Sequence, residues 1–543
     1  MADRAELLVL GRIATLAGES GLGVVEGIAI ADGRVVAAGS RDDVEGLAGP
    51  ATRTLALAPD ELAVPGLTDA HLHLADAAIS EQHVDLADAP TLEAGLGLVA
   101  AAHLTLGDPE AWIEGAGWGV DRWGGWPTAA DLEEVAPRRR VALWAHDHHA
   151  LWVSPAALAV AGVTETLADP AGGMIRRDLD GRPTGVLHET AARLVTIHIP
   201  LTTAEALEDP IERLAGRLLA LGVVAVHDPG GLLPFDDLPA AFTAYARLSD
   251  RGRLRIRVHA CLREEQLDAG IAAGVRSGDP LGDPNGRAAV GWLKLFADGT
   301  LGSRTAAMLE PFAWDGADDR GLWLTAPERL AELASRAAEH GLATQVHAIG
   351  DAAVRAALDA LTPTAGRTTL VPRVEHVQLV DPADLPRFAA AGIAASVQPV
   401  HLRSDADQAR RLWPERGERF GYPWRSLAGS GALLPFGTDA PVERIDPWPG
   451  LAMAVARDDS SWETGRPFGP AEALTIDRAL RAQCLDAALS AGEVDRGRLV
   501  LGHRADLAVI PAAALRVPVE PDGPLATAQP RLVLVDGQVV YEG

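Results

Sequence analysis

Lysine is almost absent from this chain. Among 48 lysine and arginine residues only Lys294 is lysine, which leaves 47 arginines. A GC-rich genome produces a bias of that kind, and at a solvated surface the exchange costs little. The lysine that remains therefore calls for a reason. Arginine cannot supply a neutral, nucleophilic amine at accessible pH, whereas a buried lysine can. Lys294 is accordingly read as a residue that does chemistry. Cysteine is scarce as well: Cys261 and Cys484 cannot build a disulfide framework, which suits a reducing, cytoplasmic compartment. No apolar run approaches the ~18 charge-free residues of a membrane span. The opening MADRAELLVLGR carries acidic residues and no apolar core, so it is not expected to be a signal peptide. Excess positive charge is missing too. A formal charge of −27 argues against nucleic acid and anionic membranes as partners, and leaves a small molecule. A homodimer is compatible with the sequence.

What is present begins with size. A chain of 543 residues, 48% of them hydrophobic, fits one large barrel with a satellite domain. Near the start, GIAIADGRVVAAGS (residues 27–40) alternates, turns at Asp32-Gly33 and alternates again, which is a hairpin signal. The far end repeats it: ADLAVI (505–510) precedes LVLVDGQVVYEG (532–543), which turns at Asp536-Gly537. Residues 1–63 and 495–543 are therefore expected to form one small β-sandwich.

From about residue 216 the rhythm becomes strand–helix alternation. Strand-like runs occur at GVVAVHD (222–228), LRIRVHAC (254–261), AVGWLKLFAD (289–298) and LATQVHA (342–348). PRVEHVQ (372–378), IAASVQP (393–399) and LLPFGTD (433–439) follow. With LAVPGLTDAHLHL (62–74) these make eight, and they predict a (β/α)8 TIM barrel over residues 64–494. Residues 75–215 lack the barrel rhythm and are read as a lid or subdomain inserted after the first strand. Trp112, Trp118, Trp123, Trp126, Trp144 and Trp152 fall there, either as core or as an apolar lid.

A barrel places its chemistry at the C-terminal ends of its strands. In the run 62–74, period two puts Asp69, His71 and His73 on one face. Lys294 lies near the end of the fourth strand, His347 ends the fifth, His376 the sixth and Asp439 the eighth. Each alone reads equally as an ordinary structural residue. Together they are hard to credit to packing, and neutral imidazoles with a carboxylate suit Zn²⁺ or Mn²⁺. His227 and His149 are further candidates, for holding substrate or an oxyanion, with structural hydrogen bonding as the alternative.

The segments LTDAHLH, DHHALWVSPAAL, GRPTGVLHETA, KLFADGTLGSRTA, VHAIGD, VEHVQ and FGTDAPV run from Leu67 to Val442. In that order they resemble the amidohydrolase superfamily, specifically the YtcJ-like branch of amidohydrolase family 3, which includes N-substituted formamide deformylases. The resemblance implies one or two divalent ions, zinc first, with Mn²⁺ or Fe²⁺ as alternatives. It implies that Lys294 carries a CO₂-derived carbamate bridging two metals. His71 and His73 would hold the more buried ion, and His347 and His376 the other. Asp439 would ligate metal, take the proton of the attacking water and pass it to the leaving amine. The implied activity is hydrolysis of a non-peptide carbon–nitrogen bond, in an amide, N-formyl or cyclic amide substrate. The Trp-rich region points to an aryl or aliphatic N-substituent. No P-loop, dinucleotide fingerprint or G-x-S-x-G elbow argues for other chemistry. Two enzymatic alternatives stand: a metal-dependent decarboxylase on the same scaffold, and a Schiff-base aldolase using Lys294. The aldolase leaves four strand-end histidines unexplained. A non-catalytic barrel is disfavoured by the intact ligand set.

Overall fold

The computed structural model describes residues 4–80, 83–145, 150–170, 173–200, 202–231, 238–302, 304–313 and 318–543. It divides into two compact units, Met1–Ala77 with Ala204–Gly543, and Ala78–Thr203.

The first unit is built round a seven-stranded parallel sheet. Its strands, labelled in chain order, are β1 (Leu67–Asp69), β2 (Val223–Asp228), β3 (Arg257–Arg263) and β4 (Ala288–Phe296). They continue with β5 (Thr344–Ala348), β6 (Arg373–His376) and β7 (Ala394–Ser396). Each pairs in parallel with its neighbour in sequence order. The sheet curls, and residues 433–439 bond to both of its edges. On the β7 side, Ala395 N–H donates to Leu433 O and Val397 N–H to Pro435 O, at 2.9 and 3.0 Å. On the β1 side, Ala70 N–H donates to Phe436 O at 2.8 Å.

Parallel strands need crossover connections, and helices supply them. Pro327–Glu339 shows why such a segment is helical. Proline stands at its first position, and Leu330, Leu333, Ala334, Ala337 and Ala338 form one buried stripe at helical spacing. With helices on one side and interior side chains on the other, a strand such as β5 is buried at every position.

Both chain ends enter a second, eight-stranded sheet. Glu61–Pro65 from the N-terminal part pairs antiparallel with Leu507–Pro511 from the C-terminal part, Val64 opposite Ala508. Val9, Ile13, Ile28 and Ile30 share its core with Leu507, Val509, Leu532 and Leu534. The two Asp-Gly signals are two-residue hairpin turns. Asp32 and Gly33 have φ of 49° and 72°, and Asp536 and Gly537 have 49° and 71°, the left-handed pair that matches strand twist.

The run 62–74, expected as one strand, serves two sheets. It breaks at Gly66, where an added Cβ would stand 2.7 Å from Val224 Cγ2. Residues before the break belong to the terminal sheet and residues after it to β1. A cluster of charges ties the sheets together. Asp506 accepts from Arg257 Nη1 on β3 at 2.8 Å and from Arg496 Nε at 3.1 Å, and its other oxygen accepts Asp536 N–H at 2.8 Å.

The second unit is a mixed six-stranded sheet spanning Val84–Asp85 to Pro183–Glu189 with flanking helices. Trp118 and Trp152 are core residues there, with ring centroids 6.3 Å apart. Trp126 is 37% exposed and carries the Arg176 guanidinium at 4.1 Å. Among the described residues no helix is long and apolar enough to cross a membrane.

Candidate metal centre

β1 ends at Asp69, and the chain then bends through His71 and His73. The fully buried Asp69 carboxylate accepts the N–H of His71 at 3.1 Å, the N–H of Thr438 at 3.0 Å and the Thr438 hydroxyl at 2.7 Å. Asp439 N–H in turn donates to His71 O at 2.6 Å. This bracket holds the His-x-His bend against the Thr438-Asp439 segment. Contact is so close that a Cβ on Gly437 would lie 2.5 Å from His71 N and 2.6 Å from His71 Cβ. Gly437→Ala is therefore expected to push His71 aside. Overpacking of this kind costs ~1–3 kcal/mol, and Zn²⁺ affinity, measured against a chromophoric chelator, should fall by about 10-fold or more. Wild-type affinity in this variant would show that the bend tolerates displacement.

Both bend histidines have one nitrogen committed. His71 Nδ1 lies 2.6 Å from Glu375 Oε2, and His73 Nδ1 lies 2.6 Å from Gly230 O. A carboxylate and a carbonyl can only accept, so each Nδ1 carries the proton. The Nε2 atoms then turn to one oxygen, Asp439 Oδ1, at 3.3 and 3.5 Å. His376 completes the group, its ring centroid 5.1 Å from that of His71 and 4.4 Å from that of His347. His376 Nδ1 is buried with no partner among the described residues. Donor atoms of His71, His376 and Asp439 all lie within 4.8 Å of one another.

Charge follows from burial. Desolvation, helped by Lys294, lowers the His71 pKa to about 4 and the His347 pKa to about 3. Desolvation and His347 hold His376 well below its ordinary value. Burial opposes charge on His73 and His401 as well, but the Asp439 carboxylate outweighs it, and His401 rises to about 10 with Glu443 assisting. Burial alone would raise Asp439; the surrounding histidines keep it well below the carboxylate range. The centre is thus an anionic oxygen ringed by imidazoles, a setting that draws in positive charge.

Lys294 is 1% exposed on β4, its Nζ 4.9 Å from the Phe296 ring centroid, and it makes no ion pair among the described residues. Burial lowers its pKa to about 8 against the opposing pull of Glu375 and Asp439. His347 Nε2 lies 3.0 Å from Gly299 O and 3.6 Å from Asp298 Oδ1. His227 has its Nδ1 2.9 Å from Arg373 Nη1, and its ring lies against His259 and Trp292. His149 lies outside the described residues.

Two neighbours of the centre escape a reading by pattern. His401 opens the helix His401–Leu412 and places Nε2 3.0 Å from Asp439 Oδ2. Its only signal is a position shortly after a strand. Glu375 adjoins His376, and strand parity would put the two on opposite faces. His376 and Val377 have φ of 72° and 50°, so β6 turns sharply at its end and both side chains reach His71. Asp439, with φ of 64°, is left-handed too. Such residues cost ~1–3 kcal/mol each and gather at functional sites.

The residues fit a divalent ion. Two imidazoles whose Nδ1 protons are committed aim Nε2 lone pairs at one carboxylate oxygen, which repels them unless a cation or proton intervenes. His376 contributes a further unpartnered nitrogen. Nitrogen and carboxylate oxygen are the donors Zn²⁺ takes.

Comparison with known proteins agrees with this chemistry. The amidohydrolase family model matches residues 58–541. "Protein LONG AFTER FAR-RED 3" of Arabidopsis thaliana is 32% identical over 521 residues, 93% of this chain and 87% of its own. The putative amidohydrolase YtcJ of Bacillus subtilis is 28% identical over 95% of this chain and 96% of its own. The N-substituted formamide deformylase of Arthrobacter pascens is 28% identical over 95% of each. Among solved structures, an uncharacterized metal-dependent hydrolase from Pyrococcus horikoshii OT3 superposes with a TM-score of 0.77 at 26% identity, covering 98% of this chain and all of that one.

Proposed function

Because this chain belongs to the amidohydrolase family, we propose that it is a metal-dependent hydrolase of a non-peptide carbon–nitrogen bond in a small amide, N-formyl or cyclic amide. The observation that carries this reading is the convergence of the His71 and His73 Nε2 atoms on Asp439 Oδ1 at 3.3 and 3.5 Å. His71, His73, His347, His376 and Asp439 would hold one or two ions, with zinc preferred. A bound ion would supply a water acidified to a pKa of about 7 and polarise the scissile carbonyl. Lys294 is the residue that takes up CO₂, its amine losing a proton as the carbamate forms, and so becomes an anionic oxygen donor. Arginine could not do this.

The remaining steps belong to the chain. Asp439 accepts the proton of the attacking water and delivers it to the departing nitrogen. His401, bonded to Asp439 Oδ2 at 3.0 Å, orients that carboxylate. The curled parallel sheet is read as a (β/α)8 barrel over 64–494, with the terminal strands of 1–63 and 495–543 as the small β-sandwich and 75–215 as the insertion. The working compartment is the cytoplasm. The relative that acts on N-substituted formamides makes N-formyl compounds the first to try.

The test is a screen of N-formyl, N-acyl and lactam compounds against the metal-loaded protein, with metal analysis of the same sample. Turnover that a chelator abolishes and Zn²⁺ restores is the expected result. Turnover indifferent to chelation would remove the metal, and borohydride trapping of substrate onto Lys294 would install a Schiff-base reaction instead.

A further inference from the structure

We propose that the buried Arg373–Glu375 pair is a positioning unit for His71, fixing both the ring and the backbone of that ligand. The inference rests on the metal reading above. Glu375 and Arg373 are both fully buried. Glu375 Oε2 accepts a hydrogen bond from His71 Nδ1–H at 2.6 Å, while Oε1 lies 2.9 Å from Arg373 Nε as an ion pair. The same guanidinium donates through Nη2 to Ala70 O at 3.1 Å, the peptide oxygen immediately before His71. Arg373 is itself immobilised. It donates to Gln345 Oε1 and to His227 Nδ1, and its planar face lies 4.0 Å from the Trp292 ring centroid.

Stability does not account for this arrangement. An ion pair stripped of water commonly contributes no more than an apolar pair of the same shape. Position does account for it. A carboxylate on one imidazole nitrogen fixes the tautomer, orients the ring and raises the basicity of the other nitrogen. Here that other nitrogen is His71 Nε2, which faces Asp439. Glu375 also sits one residue before His376, so β6 delivers a ligand and the support of a second ligand from adjacent positions. His227 then acts as a prop, accepting from Arg373 through Nδ1.

The experiment uses the full-length protein, stripped of metal and titrated with Zn²⁺ against a chromophoric chelator, with the visible spectrum of the Co²⁺ form as a second readout. Glu375→Gln keeps the shape and an acceptor for His71 but removes the charge. It is expected to weaken Zn²⁺ binding by about 10- to 100-fold, the range for supporting partners of metal ligands, and to alter the Co²⁺ spectrum. Should the lone arginine prevent folding, Glu375→Gln combined with Arg373→Met leaves no uncompensated charge, and the same loss is expected. Unchanged affinity and spectrum in either folded variant would overturn the positioning role alone. Failure of the wild-type protein to bind Zn²⁺ or Co²⁺ would overturn this role together with the metal reading.

Discussion

Lys294→Ala is expected to lose turnover by about 10³-fold or more, equivalent to roughly 4 kcal/mol of transition-state stabilisation, and to bind less metal. The side chain is buried on β4, makes no ion pair among the described residues, and has its pKa lowered to about 8 by desolvation. An isolated buried ammonium is unfavourable, whereas a neutral amine there is free to react with CO₂. Short carboxylates such as acetate should partly restore turnover to Lys294→Ala, because they bring an anionic oxygen into the space the side chain leaves. Lys294→Arg should stay inactive under the same treatment. The amine reacts only when neutral, so at a fixed concentration of dissolved CO₂ the reactivation of CO₂-depleted enzyme should quicken as pH rises through about 8 and then level off. Full metal content and full turnover in Lys294→Ala would end the carbamate assignment.

Asp506→Asn is expected to cost about 3 kcal/mol of folding stability at neutral pH, the lower end for a broken buried ion pair because its partners are not left wholly unpaired. Arg257 and Arg496, 6% and 2% exposed, each lose the Asp506 carboxylate and keep a second one, Asp536 and Glu493 respectively. Burial alone would raise the Asp506 pKa, but the two arginines outweigh it and lower it. The folded protein therefore binds that proton less readily than the unfolded chain. The stabilisation is complete above the unfolded carboxylate value of ~3.9 and disappears as pH falls through the lower folded value. Denaturant midpoints of wild type and Asp506→Asn should thus differ most near neutrality and converge in acid. A gap that stays constant into acid would mean that the loss comes from packing and not from charge.

Much of this molecule is legible locally. A single lysine beside 47 arginines marks Lys294 by composition alone. Asp32-Gly33 and Asp536-Gly537 announced their hairpins because few other pairs accept φ near 50° and 70° in succession. Short motifs spread over the chain carried a family resemblance that the match over residues 58–541 bears out. Such features depend on residue type and near neighbours, which a linear sequence records.

Other features depend on which distant segments meet. An unbroken apolar run does not reveal that Glu61–Pro65 joins one sheet and Leu67–Asp69 another, since burial makes the same demand on both sides of Gly66. Strand parity would put Glu375 and His376 back to back, and the left-handed turn at the end of β6 brings both to His71. His401 and Arg373 carry no local signal. They gained their places through contacts with Asp439, 38 residues away, and with the oxygen of Ala70, 303 residues away. The chemical types at the centre were thus set residue by residue along the chain. The meeting of His71, His376 and Asp439 in one cluster was decided by the tertiary structure, which brings the ends of β1 and β6 and the segment after Phe436 together.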